Sequence, residues 1–288
     1  MKKISYESDK NDEKLTQEEF KNLTSYRQFY INKHLTLSQH GLYCPCLVNS
    51  EDNLAISNSR VTGDFIIPME MVLSRLKSES SLARHLYYEY INPINTSQIK
   101  NESGFLELFN DEILGIDIEK LRTTFRLCFG ILDKIAVAIC ELYDLYPTNH
   151  KGNIDKKIYF QNFWRLDTDN RREKFEKIKS PGILALYSIA TDLNEGKNGE
   201  LSFYKQWRND LEHKFVVIHK SIKPQDLYNS YNLIKDIIFI NKEDFKKHFE
   251  QLIQITRSTI FSFVFMFRCE GLTTKKENIH YCDQQIHS

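Results

Sequence analysis

The 288-residue chain is 41% hydrophobic and 27% charged, with 39 basic against 39 acidic side chains. That apolar share excludes global disorder, and a net charge of zero excludes a protein that grips a long polyanion by charge alone. Ten glycines and six prolines are few for this length, which favours helices over a sandwich or barrel.

Residues 1–25 are polar and charged and read as an arm or a frayed helix. No apolar stretch follows Met1-Lys2-Lys3, so no signal peptide is expected. Residues 26–68 mix apolar and turn residues without clean periodicity. Met69 to Ile91 carries apolar residues at helical spacing, and Asn92-Pro93 is expected to stop that helix. The clearest pattern runs from Ile118 to Leu145: Ile118, Leu121, Phe125, Cys128, Leu132, Ile135, Ile139 and Leu142 fall in alternating steps of three and four, the mark of a core helix.

A shorter helix is expected around Phe160 to Leu166. Ser180-Pro181 opens another, with serine as cap and proline in the first turn, carrying Ile183, Leu184, Leu186, Tyr187, Ala190 and Leu193. Glu200 to His219 follows, with an apolar stripe of Phe203, Trp207, Leu211, Phe215 and Ile218. The last long helix spans Lys242 to Arg268 after a capping Asn241, and Phe245, Phe249, Leu252, Thr256, Ile260, Phe263 and Phe267 line one side. No strand alternation matches these in clarity. The most apolar runs, Ile135 to Cys140 and Thr259 to Phe267, are too short to span a bilayer. The scattered cysteines suit a reducing cytoplasm.

The chemistry concentrates on the helix from Glu200. At about 100° per residue, Asn209 and His213 share a face opposite the apolar stripe, and Arg208 lies at its edge, about 140° from His213. An imidazole can move protons near neutral pH, and a guanidinium offers planar donors to two phosphate oxygens. An amide can orient either. Such a set can run metal-free RNA cleavage, in which the 2′-OH attacks the adjacent phosphate. Spacing alone is weak: twelve arginines and nine histidines give roughly one chance match. Two occur, Arg208/His213 and Arg27/His34.

The flanking residues separate them. Arg208-Asn209-Asp210-Leu211-Glu212-His213 resembles the signature of the HEPN superfamily. It is similar to the predicted-toxin branch often found behind tetratricopeptide repeats. Further blocks resemble that branch in order: Tyr26-Arg27-Gln28-Phe29, Leu82 to Glu89, Phe125-Arg126, Leu132 to Ala136, Phe163-Trp164, Leu184 to Leu193, and Thr256-Arg257. The resemblance covers roughly residues 26–270 and lacks the upstream repeats. It implies an all-α HEPN-type helical bundle with an N-terminal helical or irregular extension: arm 1–25, domain 26–270 (extension 26–100, core bundle 101–270) and tail 271–288. It further implies a cytoplasmic endoribonuclease with a toxin or antiphage role. Catalytic positions carry over to Arg208 and His213, supported by Asn209. A homodimer would form one composite cleft, RNA (transfer RNA among the candidates) would be the partner, and an antitoxin or regulatory partner could accompany it. No cofactor and no membrane are expected. The alternative within the family is a non-catalytic module that binds nucleotide or a partner protein.

Secondary signals have plainer readings. Arg122, Arg126 and Asp133 fall within about 40° on one helix. Asp133 could orient Arg208 or His213 and the arginines could touch RNA phosphate, or the group could form an ion pair between helices. Cys44-Pro45-Cys46 with His40 offers three zinc ligands, but the spacing is unlike common zinc sites and a reduced loop fits better. His280 and Cys282 could add ligands. Trp164, Trp207, Tyr87 and Tyr88 could stack on bases, although aromatics at helical spacing usually belong to a core.

Overall fold

A computed structural model describes residues 17–42, 51–57, 61–93, 111–147, 153–154, 157–161, 164, 169–178, 180–220 and 237–282, with side chains from 18 to 269. The chain divides into two compact units, Met1–Leu54 and Ala55–Ser288. The division falls inside the stretch read as an N-terminal extension.

The first unit holds two short helices, α1 (Gln17–Asn22) and α2 (Ser25–Asn32), and a 3₁₀ turn at His40–Leu42. The Thr24 side chain caps α2 by accepting from the Arg27 N–H at 3.3 Å. Beyond it, Leu35 and Leu37 are buried, and the Leu37 N–H donates to Asp52 Oδ1 at 2.8 Å. Arg27 and His34 are both exposed.

The second unit is built on three long helices: α3 (Ile66–Ile91), α4 (Ile116–Tyr143) and α8 (Lys242–Cys282). Smaller elements complete it: α5 (Asp169–Lys177), α6 (Pro181–Asp192), α7 (Phe203–His213), β1 (Val216–His219) and β2 (Ile238–Asn241). The α4 stripe is buried as its spacing requires, from Ile118 and Leu121 through Phe125, Cys128, Leu132 and Ile135 to Ile139. Burial pushes the Cys128 and Cys140 thiols up to about 12, so both act as small apolar side chains. The α8 stripe meets α4 and α3: Phe245 stacks on Phe125 at 5.6 Å, and Phe249 meets Tyr87 edge-on at 4.8 Å. The Tyr87 hydroxyl donates to the Glu250 carboxylate between the helices.

By length and composition alone, α8 between Lys242 and Cys269 could cross a membrane, contrary to the impression left by its short apolar runs. Phe245, Phe249, Leu252, Ile260, Phe263 and Phe267 are instead fully buried in the bundle, and Asn241 Oδ1 caps the helix by accepting from the Glu243 N–H at 2.9 Å. The helix runs past the expected end at Arg268 to Cys282, through part of the expected tail.

Ser180 caps α6 as expected, its Oγ accepting from the Gly182 N–H at 3.3 Å with Pro181 in the first turn. Gly182 lets this end approach α8. A Cβ there would sit 2.5 Å from the Ser262 carbonyl oxygen and 2.6 Å from the Met266 nitrogen, both main-chain atoms. Gly182→Ala should therefore destabilise the protein by about 1–3 kcal/mol, read from the urea midpoint at unchanged slope. A midpoint equal to wild type would mean that the two helices are less tightly opposed.

Three expectations need correction. The helix expected to His219 ends at His213, because Lys214 takes up an extended conformation and Val216, Val217 and Ile218 form β1. Branched side chains prefer a strand, and β1 pairs in parallel with β2, Val216 opposite Ile238. Phe215 thereby leaves the expected stripe and is exposed. No helix appears among the described residues of 157–164: Phe160, Gln161 and Trp164 lie in turns, and the helix of this region is α5. Leu184 faces outward on α6. The class remains all-α, and an antiparallel bridge from Glu112 to His219 adds to the small sheet.

Candidate active site

A site on α7 needs that helix to be held firmly, and its aromatic side does this. Tyr204 is fully buried and its hydroxyl donates to the His248 carbonyl of α8 at 2.7 Å. Trp207 packs on Phe245 at 5.7 Å, on His248 at 5.4 Å and on Phe125 at 6.4 Å. The buried face is therefore centred on Tyr204 and Trp207, one residue away from the expected Leu211 and Phe215 edge. Asp210 also lies inside, 2% exposed, with Lys214 Nζ 3.1 Å from its Oδ1.

The opposite side of α7 opens on a groove of about 450 Å³, lined by Tyr159, Gln161, Lys205, Arg208, Asn209, Glu212 and His213. The three residues singled out on sequence grounds, Arg208, Asn209 and His213, thus line one concavity. Asn209 and His213 are exposed, while Arg208 is mostly withdrawn. Its guanidinium lies over the rings of Phe129 at 5.6 Å and Tyr159 at 5.3 Å, and Nη2 is 3.1 Å from Asp133 Oδ2. A guanidinium stacked on aromatic faces and tied to a carboxylate loses little freedom when it meets a phosphate.

Asp133 sits on α4 behind Arg208. Its Oδ1 accepts from the Phe160 N–H at 2.9 Å, so one carboxylate fixes both the arginine and the segment carrying Tyr159 and Gln161. Burial raises the Asp133 carboxyl above the ordinary carboxylate range, although the Phe160 N–H and Arg208 pull the other way. An acid whose folded pKa is raised holds its proton more tightly in the folded chain. Its contribution to stability is fully present below the ordinary value and declines as pH rises through the raised one. Relative to Asp133→Asn, the wild type should lose stability across that acidic window and then run parallel above it. Urea unfolding of both proteins over a pH series reads this; parallel curves throughout would contradict the raised value.

The other α4 candidates lie elsewhere. Arg122 contacts Glu119 at 2.6 Å and donates to the Val216 carbonyl at 2.6 Å, which ties α4 to β1. Arg126 is 4.0 Å from Glu119. Neither lines the groove among the described residues. The aromatics offered as base stackers are largely core: Trp164 and Tyr87 are buried, and Trp207 anchors α7. Cys44, Cys46 and the side chains of His280 and Cys282 lie outside the described residues. Among the described residues no cluster of three or more His, Cys, Asp or Glu is arranged to hold a metal.

Sequence reasoning missed Lys205 and Glu212, although helical periodicity about Arg208 carries them to the same face, three residues before it and four after. It also missed Tyr159 and Gln161, which arrive from a turn with no periodic signal.

A family model described as LA2681-like HEPN matches residues 60–270, a span that includes Asp133, Arg208, Asn209 and His213 and excludes Arg27 and His34. No curated protein and no solved structure matches the chain.

Proposed function

The chain belongs to the LA2681-like HEPN family, and from that premise we propose that it is a metal-independent endoribonuclease. HEPN domains are often ribonucleases. One observation carries the reading here: Arg208, Asn209 and His213 line a single open groove, with the guanidinium held from behind by Asp133. His213 takes the proton of a ribose 2′-OH. The freed oxygen bonds to the adjacent phosphorus, the bond from phosphorus to the 5′-oxygen breaks, and that oxygen leaves with a proton from an acid. Arg208 binds the phosphate oxygens as charge builds on them, and Asn209 steadies the phosphate or the imidazole. The products are a 2′,3′-cyclic phosphate and a free 5′-OH.

Among the described residues each groove has one histidine, so a second imidazole, from another copy of the chain, suits the acid's role. A homodimer joining two grooves would provide it, and sedimentation at micromolar concentration tests that assembly. The neutral chain fits a short, local grip on RNA better than a long electrostatic track. A toxin or defence role in the cytoplasm, with cellular RNA such as transfer RNA as target and an antitoxin as control, is the setting in which such an activity would serve. The test is incubation of purified protein with total RNA in EDTA. Cleavage that persists in EDTA is expected; intact RNA, or cleavage that EDTA stops, would overturn the reading.

A further inference from the structure

One wall of the groove comes from the turn that follows α4. Gln161 is only 3% exposed and lines the groove, and among the described residues no hydrogen bond reaches its Oε1. Its main chain is fixed: the carbonyl oxygen accepts from Asn194 Nδ2 at 2.5 Å, and the preceding Phe160 N–H is held by Asp133. Buried amide oxygens are rarely left without a donor, because desolvation without a replacement bond is unfavourable. Beside it, Tyr159 keeps one ring face towards Arg208 and is 42% exposed. A buried acceptor on a held main chain and an exposed aromatic ring, both lining the groove with Arg208, have the chemistry of a base site. Single-stranded RNA is read by stacking splayed bases on aromatic rings and hydrogen-bonding their edges. The groove's volume of about 450 Å³ lies within the range of small-ligand sites, roughly 300–1,000 Å³.

We infer that Tyr159 and Gln161 form a nucleobase subsite for single-stranded RNA, selective for adenine and cytosine, whose exocyclic amine sits where guanine and uracil carry a carbonyl oxygen. The amine of adenine or cytosine projects beyond the ring and donates to Gln161 Oε1, while the ring stacks on Tyr159. Guanine and uracil present a carbonyl oxygen at the corresponding position, so an approaching amide oxygen meets repulsion there, even though their ring N–H lies directly beside it. The inference rests on the groove being an RNA site, and it names which base lies beside the scissile phosphate.

The test uses the full chain carrying His213→Ala, so that binding is read without cleavage. Four single-stranded RNA oligonucleotides differing at one central base are titrated by fluorescence anisotropy. Adenine and cytosine should bind about five- to tenfold more tightly than guanine and uracil. Adding Gln161→Leu should erase that preference without lowering the melting temperature, because the lost acceptor had no partner to lose. A protein with no base preference overturns the subsite, even if Gln161→Leu fails to fold. So does a preference that survives the substitution, or a melting temperature that falls while the preference stays. Selective binding by a protein that cleaves no RNA would leave the subsite standing and remove the nuclease reading alone. Cleavage without selective binding would do the opposite.

Discussion

His213→Ala should reduce RNA cleavage by about 10²–10⁴-fold, the range associated with removing a general acid or base, while changing RNA affinity only a few-fold. His213 is exposed in the last turn of α7. Its removal should therefore leave stability within about 0.5 kcal/mol of wild type, as for most surface substitutions. Those two readouts together are diagnostic. A histidine that served the fold would lower the melting temperature, and one that only bound RNA would weaken affinity in step with rate. Single-turnover cleavage, anisotropy and thermal unfolding on the same preparation separate the cases. Unchanged cleavage would remove His213 from the chemistry.

Arg208→Ala should cost about 10²–10³-fold in cleavage, the effect of losing one donor to a developing anion. Unlike the histidine, it should also cost stability. Arg208 fills the space between Phe129 and Tyr159 and neutralises Asp133, and the carboxylate left behind keeps the Phe160 N–H and the charge of Lys134. A hydrogen bond to a charged group contributes about 1.5–3 kcal/mol, and partial exposure of both partners puts the expected loss in the lower half of that range. Arg208→Lys keeps the charge but not the planar fork, so it should recover part of the stability and little of the activity. Asp133→Ala should slow cleavage through Arg208, so the double variant should fall well short of the product of the two single effects. Multiplicative effects would mean that the two residues act independently, and Asp133 would then have no part in positioning the arginine.

The bundle was legible because long apolar periodicities report burial directly. The α4 and α8 stripes are the clearest cases, and almost every residue named on them is buried. The signal failed where a short element continued an apolar pattern. Phe215 and Ile218 extend the α7 spacing, yet the branched run Val216-Val217-Ile218 prefers a strand once β2 is available to pair with it. The ion pair between Asp133 and Arg208 was one of two readings open in the sequence. Only the approach of α4 to α7 selects it, since 75 residues separate the partners. The contribution of Tyr159 and Gln161 had no signal at all, because a turn reaches a groove through tertiary packing and leaves no periodic trace.

In the proposed reaction the Arg208 and His213 groove directs a ribose 2′-OH onto the neighbouring phosphate. The most direct measurement takes an RNA oligonucleotide cut at one position and repeats the reaction with a single 2′-deoxy substitution on the 5′ side of that bond, analysing product ends by mass spectrometry. A 2′,3′-cyclic phosphate and a 5′-OH are expected from the first RNA and no cut in the second. A 3′-OH paired with a 5′-phosphate, or cleavage that ignores the missing hydroxyl, would contradict it.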